Sequence, residues 1–369
     1  MPQLAELDQL IAKLPRKHIG FYPTPFHKLE NLSRNHRVKI FMKREDMAGP
    51  GTISGSKMRQ AEFIVGQALK DGVDTIITQG VYLTNSGMQF ATAARVAGIT
   101  PILYLTRHER QGPVAEYRGN LLLNQIMGVE THYLTTSGAA YWDATDQSDR
   151  IVGAMEAHKA KLEAEGHKVL IIPTGGAHPY GFVAHALTFK EMIEQAHAMG
   201  VELDFIYHTA GTGTALPGML AAKLFTGHKV KFRSVAINSY HPGGWMNKQV
   251  IVDRVKHVFQ LLNFKMADES IYNEIDVDER FIGENYAVPS AKSTAAIREL
   301  AKSDGVFIGP VYTGKGFAGM LDHARTGRIE PGSNVAFLHT GDTGNLFETS
   351  GVVGDVTVAD TAISSNSAS

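Results

Sequence analysis

Short apolar runs recur along the chain at Val38-Phe41, Thr75-Thr78, Ile102-Leu105, Val169-Ile172, Phe205-His208, Phe232-Ile237 and Val335-His339. Runs this brief, bounded by turn-forming residues, predict buried strands. Between them apolar positions return with helical spacing in Arg59-Asp71, Asn85-Ala97, Gly119-Met127, Ala154-Ala164, Gly181-Met199 and Leu216-Phe225. That spacing predicts amphipathic helices. Several strands run into a glycine-bearing turn that opens a helix. The alternation argues for an α/β fold of open, mostly parallel sheets covered by helices on both faces. The segment 59–170 holds enough strand–helix units for a small second domain. It would be inserted within a large cofactor-binding domain made of 1–58 and 171–355. The ending 356–369 is serine-rich and poor in apolar residues, so a disordered tail is expected there.

A length of 369 residues fits this two-domain expectation. Lysine plus arginine total 36 against 37 aspartates and glutamates, a net charge of −1. Such balance offers no electrostatic footprint for nucleic acid or an anionic membrane, and small-molecule work is the better expectation. Cysteine is absent, which removes disulfides, thiolate nucleophiles and cysteine-bound metal. The start, Met1 to Leu7, lacks the basic and then apolar regions of a secretory signal. No apolar run approaches the roughly 18 residues of a spanning helix. A cytoplasmic enzyme is expected.

Chemistry concentrates in the turns. Lys57 follows Ser54-Gly55-Ser56, where its amine either holds a carbonyl cofactor as a Schiff base or is an ordinary surface charge. After Phe205-Ala210 comes Gly211-Thr212-Gly213-Thr214 and then a helical pattern. Backbone N–H groups and a helix dipole in such a turn cradle phosphate; otherwise it is a plain tight turn. Thr174-Gly175-Gly176 is another turn, where the paired glycines either let the backbone approach a ligand closely or make a plain loop. Thr340-Gly341-Asp342 ends the last strong strand, so the Thr340 hydroxyl either meets a ring nitrogen or caps the turn. Thr84-Asn85-Ser86-Gly87 reads as a helix N-cap, or as a pocket for a substrate carboxylate with Asn85 on a cofactor hydroxyl. Tyr312 stands in the constrained loop Gly309-Gly316, as packing or as an acid–base group. The 16 histidines include no His-Glu-x-x-His pair, and no Gly-x-Ser-x-Gly elbow occurs. No metal site is expected.

Taken with Tyr22-Pro23-Thr24-Pro25, Met42-Lys43-Arg44-Glu45-Asp46, Gly55-Ser56-Lys57-Met58-Arg59, Gly119-Asn120-Leu121-Leu122-Leu123, Pro310-Val311-Tyr312-Thr313-Gly314-Lys315 and His339-Thr340-Gly341, these turns carry a resemblance. From Pro23 to Phe347 the chain resembles the fold type II pyridoxal-phosphate enzymes, tryptophan synthase β-like in architecture. The likeness is to their D-cysteine desulfhydrase and 1-aminocyclopropane-1-carboxylate deaminase family. The resemblance implies pyridoxal 5'-phosphate as cofactor, an amino acid as substrate and a homodimer. It implies Lys57 as Schiff-base lysine and proton carrier, and Gly211, Thr212, Gly213 and Thr214 around the phosphate. Asn85 would face the ring hydroxyl and Thr340 the pyridine nitrogen. Thr84 stands where the family sets a serine against the substrate carboxylate, with Asn85, Ser86, Gly87 and Thr313 beside the substrate. Tyr312 matches the family's active-site tyrosine.

Three departures bear on substrate. Thr313 stands where the deaminases carry glutamate, as it does in desulfhydrase-like members. The family's Ser-Asn-His/Gln-x-Arg-Gln becomes Thr84-Asn85-Ser86-Gly87-Met88-Gln89, and Asp342 replaces a second glycine. The expected reaction is α,β-elimination from a β-substituted alanine, D-cysteine or a sulfonated relative such as cysteate, to pyruvate, ammonia and the leaving group. The alternatives are ring opening of the cyclopropane amino acid, or a cofactor-binding protein without turnover.

Overall fold

Two sheets carry the fold in the computed structural model, which describes residues 2–51, 53–108, 117–136, 144–241, 244–286 and 288–347. Among these, the strands are β1 (Phe26–Lys28), β2 (Lys39–Arg44), β3 (Thr75–Val81), β4 (Thr100–His108), β5 (Glu130–Thr136), β6 (Val169–Ile172), β7 (Phe205–Ala210), β8 (Lys231–Ala236), β9 (Val277–Asp278) and β10 (Asn334–His339). The larger sheet runs β1-β2-β10-β7-β8-β9 and the smaller β5-β4-β3-β6. All pairings are parallel except β1 with β2. All seven strands expected from the apolar runs are present. The inner boundary expected at 170/171 falls inside β6, whose four residues all pair with β3. The tail 356–369 lies outside the described residues.

In the larger sheet, alternate residues of each central strand face opposite layers. Ile206, Ala336 and Leu338 pack with Phe182, Phe189 and Leu220, from the helices Pro179–Ala198 and Leu216–Thr226. Tyr207, Val235 and Phe337 pack with Leu300, Phe317 and Met320, from Ala291–Asp304 and Thr313–Arg325. Each such fully buried side chain contributes about 1.5–3 kcal/mol. Two-sided cover is why β7 and β10 read as continuous apolar runs. The smaller sheet is built alike: Ile76 meets Ile64 and Phe90, and Ile77 and Ile102 meet Ile151 and Met155.

Polar groups are also buried behind the helix Lys57–Lys70. Arg59 has no exposed surface and forks onto Glu45 (2.9 and 2.7 Å) and Glu191 (2.7 and 3.0 Å). Lys43 reaches Glu191 at 2.7 Å and the Thr24 carbonyl at 2.9 Å. The Tyr22 ring lies 4.0 Å from the Arg59 guanidinium. Burial alone would raise the Glu45 carboxyl, but the Arg59 guanidinium overrides it and holds it at about 2. This network fastens the strand β2, the Lys57 helix and the helix Pro179–Ala198 to one another.

Candidate active site

Four helices begin at one cleft. Lys57–Lys70, Asn85–Ala97, Leu216–Thr226 and Thr313–Arg325 contribute Lys57, Asn85, Leu216 and the flanking Tyr312 to its lining. The carboxyl ends of β3 and β7 supply Gly80, Val81 and His208 to Ala210, and Thr340 follows β10. Helix starts present free N–H groups and a positive dipole end, so the cleft suits an anionic ligand. Position at the carboxyl ends of parallel strands is the usual ligand site of such sheets.

The Lys57 amine donates to the Gly175 carbonyl at 2.8 Å and to the Thr214 hydroxyl, both neutral acceptors. Burial, with Arg254 adding repulsion, lowers it to about 7. A substantial fraction is therefore an uncharged nucleophile near neutrality. The residue's position is set from two sides. The Ser56 N–H donates to the Thr340 carbonyl at 3.0 Å, and the Met58 N–H donates to Gln89 Oε1 at 3.0 Å. A Cβ at Gly55 would lie 2.3 Å from that Thr340 carbonyl, so only glycine permits the approach. Gln89 also donates to the Asn85 carbonyl at 3.3 Å, tying the Lys57 and Asn85 turns together.

Across the cleft, β7 feeds the turn 211–215. Gly213 takes φ +60°, and the following helix has no side-chain cap on its first N–H groups. Arg254 Nη1 donates to the Thr212 and Gly213 carbonyls, and the Tyr240 hydroxyl donates to the Gly211 carbonyl at 2.9 Å. These bonds turn the loop's carbonyls away and fix its shape. Gly175, at φ +67°, packs so closely on this turn that a Cβ there would meet Thr212 Oγ1 at 2.4 Å.

Thr84 caps the helix Asn85–Ala97: its Oγ1 accepts from the Gly87 N–H at 3.0 Å and lies 3.1 Å from Ser86 Oγ. Asn85 is buried, and its Oδ1 meets no protein donor. Thr209 Oγ1, also in the lining, is buried without a partner too. Asn120 Nδ2 supports the turn from behind by donating to the Leu83 carbonyl at 3.2 Å.

Tyr312 meets Tyr286 hydroxyl to hydroxyl, and both line the cleft. Burial, and then the Asp342 carboxyl, push the Tyr312 phenol above the usual tyrosine range, with Tyr286 acting the other way. Tyr312 is therefore held as a proton donor. Asp342, at φ +81°, accepts the Tyr312 N–H on Oδ2 at 2.7 Å and an Asn345 amide N–H on Oδ1. Burial raises Asp342 to about 7 against these bonds and those from the Thr313 and Val311 amides. A carboxyl whose folded value lies above its unfolded 3.8 stabilises the fold fully only below about pH 4 and loses that contribution as pH rises through 7. Asp342→Asn is therefore expected to gain roughly 2 kcal/mol on the wild type between pH 5 and pH 8. Denaturant unfolding at both pH values checks this; an unchanged gap between the two proteins contradicts it.

Of the residues expected from the sequence, the cleft brings together Lys57, Thr84, Asn85, Ser86, Gly211, Thr212, Gly213, Thr214, Tyr312 and Thr340. Gly87 and Thr313 do not line it. Gly87 is spent on the Thr84 cap, and the Thr313 side chain is buried, accepting the Gly309 N–H at 2.9 Å. Tyr286 and His208 line the cleft without having been expected, and the turn at Thr174 and Gly175, left open between two readings, joins them. His208 is neutral, lowered to about 4 by burial, and bonds Ser234 Oγ at 2.8 Å. No periodicity marks Tyr286; the sole signal is Gly283 three residues before it.

These features fit one cofactor. The buried amine near 7 suits an aldehyde, the uncapped helix start and glycine turn suit a phosphate, and the orphaned Asn85 Oδ1 suits a ring hydroxyl. Comparison with known proteins decides the matter: residues 18–341 match the family described as pyridoxal-phosphate dependent enzyme. The chain belongs to this family. Its cofactor is pyridoxal phosphate, and it is a lyase of the deaminase and desulfhydrase group. Among relatives, the putative 1-aminocyclopropane-1-carboxylate deaminase of Pyrococcus furiosus is 30% identical, covering 93% of this chain and 96% of that protein. The 1-aminocyclopropane-1-carboxylate deaminase of Burkholderia orbicola is 27% identical over 93% of this chain and 98% of that protein. A solved structure described as an ACC deaminase homologue superposes with a TM-score of 0.80 at 30% identity, over 93% of this chain and 96% of that one. The family's architecture, parallel sheets covered by helices, is the one seen here.

Proposed function

We propose that this lyase eliminates the β-substituent of a small amino acid, D-cysteine first, giving pyruvate, ammonia and sulfide from cysteine and water. One observation carries the preference over ring opening. The position after Tyr312 is Thr313, whose hydroxyl is buried on the Gly309 backbone, so no carboxyl stands there. Among the described residues that line the cleft, Lys57 is the single basic one besides the neutral His208, and Asp342 adds a carboxyl. That balance favours a thiol over the sulfonated cysteate. The names of the relatives support the second reading, opening of the cyclopropane amino acid.

Under this reading Lys57 Nζ would hold the cofactor aldehyde and, as a free amine, would take the α-proton of the substrate. The bound cofactor supplies the electron sink that stabilises charge at that carbon. Gly211 to Thr214 and the start of the helix Leu216–Thr226 would hold the phosphate, Asn85 Oδ1 would accept from the ring hydroxyl, and Thr340 would face the pyridine nitrogen. A threonine there, in place of a carboxylate, favours elimination over transamination. Thr84, Ser86 and the N–H groups of Asn85–Ala97 receive the substrate carboxylate. Tyr312 Oη, paired with Tyr286, delivers a proton to the departing group. The same reading takes the two sheets as cores of two domains in a cytoplasmic homodimer, on the strength of the family resemblance.

A panel of D- and L-cysteine, cysteate, serine, diaminopropionate and 1-aminocyclopropane-1-carboxylate, scored by keto acid, tests the proposal. Pyruvate with sulfide from D-cysteine is expected. A 2-oxobutyrate product from the cyclopropane amino acid, with no turnover of cysteine, would replace this reading by the second.

A further inference from the structure

Away from the cleft, three metal-ligating side chains meet at the edge of the smaller sheet. Glu130 and His132 are two residues apart on the edge strand β5, hence on one face of it. His158 arrives from the helix Ala144–Ala164. Glu130 Oε1 lies 2.6 Å from His132 Nε2 and 3.9 Å from His158 Nε2, and the three ligand atoms all fall within 4.8 Å of one another.

The imidazoles are held in place. The Tyr104 ring stacks on His132 with centroids 4.6 Å apart and 12° between planes. His158 stands edge-on to both rings, and its Nδ1 bonds the Tyr104 hydroxyl at 3.0 Å. That bond occupies one ring nitrogen and leaves Nε2 aimed at Glu130. A partner on the far nitrogen is the usual support of a metal-binding histidine. The ion pairs of Glu130 among the described residues are with these two histidines, and no lysine or arginine among those residues neutralises it. Ligands at about 2.0–2.2 Å from a tetrahedral ion stand some 3.3 Å apart, a small side-chain adjustment from the spacing seen here.

We propose that Glu130, His132 and His158 bind a divalent transition cation, of the zinc class, which clasps β5 to the helix Ala144–Ala164. Two imidazoles and one carboxylate suit zinc, nickel or copper over magnesium or calcium. Three protein ligands leave one position to water, so the site is open.

Calorimetric titration of zinc chloride into the untagged holoenzyme, in a non-coordinating buffer, tests this. One zinc per chain with a Kd of about 1–10 µM is expected. Glu130→Gln and His158→Gln are expected to abolish that step, and Tyr104→Phe to weaken it roughly tenfold. Zinc should raise the melting temperature of the wild type and not that of His158→Gln. Visible absorbance of the bound cofactor confirms that each variant is folded. Absence of saturable uptake below about 1 mM, or a titration that is the same in wild type and His158→Gln, overturns the site. Neither result touches the elimination reading, which no residue of this cluster serves.

Discussion

Lys57→Ala is expected to lower turnover on the order of 10³-fold, since the proton carrier at the substrate carbon is removed. Lys57→Arg should not restore it. A guanidinium stays charged, whereas the cleft lowers the native amine to about 7. Borohydride reduction of the holoenzyme followed by peptide mapping locates the attachment, and the label is expected on Lys57. A label on another lysine, or turnover surviving in Lys57→Ala, removes the basis of the proposed mechanism. A stability effect of opposite sign accompanies the loss. The amine's folded value lies below its unfolded 10.5, so its stabilising contribution is complete only above that value and falls away as pH drops through 7. At neutral pH the cofactor-free Lys57→Ala chain is therefore expected to resist denaturant better than the cofactor-free wild type.

Arg59→Met is expected to cost about 3–5 kcal/mol, because it leaves Glu45 in the interior without its guanidinium and Glu191 with Lys43 alone. The fork onto Glu45 has no water to replace it, since Arg59 and Glu45 have no exposed surface. The penalty should shrink in acid. With Arg59 in place, Glu45 is held at about 2, so the pair's contribution is present above the unfolded value of 4.5 and is lost as pH falls toward 2. Urea unfolding of wild type and Arg59→Met at pH 7 and pH 4 measures both effects; a loss under about 1 kcal/mol at pH 7 would show that the network is dispensable.

The apolar runs located the strands buried on both faces because their sequence is continuous where the sheet is covered. β5 escaped notice since Glu130, Thr131, His132 and Thr135 give an edge strand with little apolar content. β1 and β9 have three and two residues, too few for any period. At the cleft, glycine turns and capping residues exposed most of the lining, since backbone approach to a ligand leaves a local signature. Tyr286 has none, because what places it is its hydroxyl contact with Tyr312, made across 26 residues. Asp342 was visible as a departure from a family glycine, but its purpose was not. Only the fold shows it receiving the amide of Tyr312 and so orienting that residue's loop. Thr313 and Gly87 looked like substrate residues by adjacency to residues that line the cleft, yet their polar groups are engaged by backbone and cap.

Chain order gives β10 a further meaning. This strand lies between β2 and β7, and the carbonyl just after it receives the Ser56 N–H beside Lys57. The segment made near the end of synthesis is thus the keystone joining the amino-terminal hairpin to the middle of the protein. A ribosome-bound chain that stops short of residue 334 has Lys57 and the turn 211–215 already made but lacks the strand between β2 and β7 and the Thr340 carbonyl that receives Ser56. Truncation before residue 334 is therefore expected to weaken retention of the coenzyme.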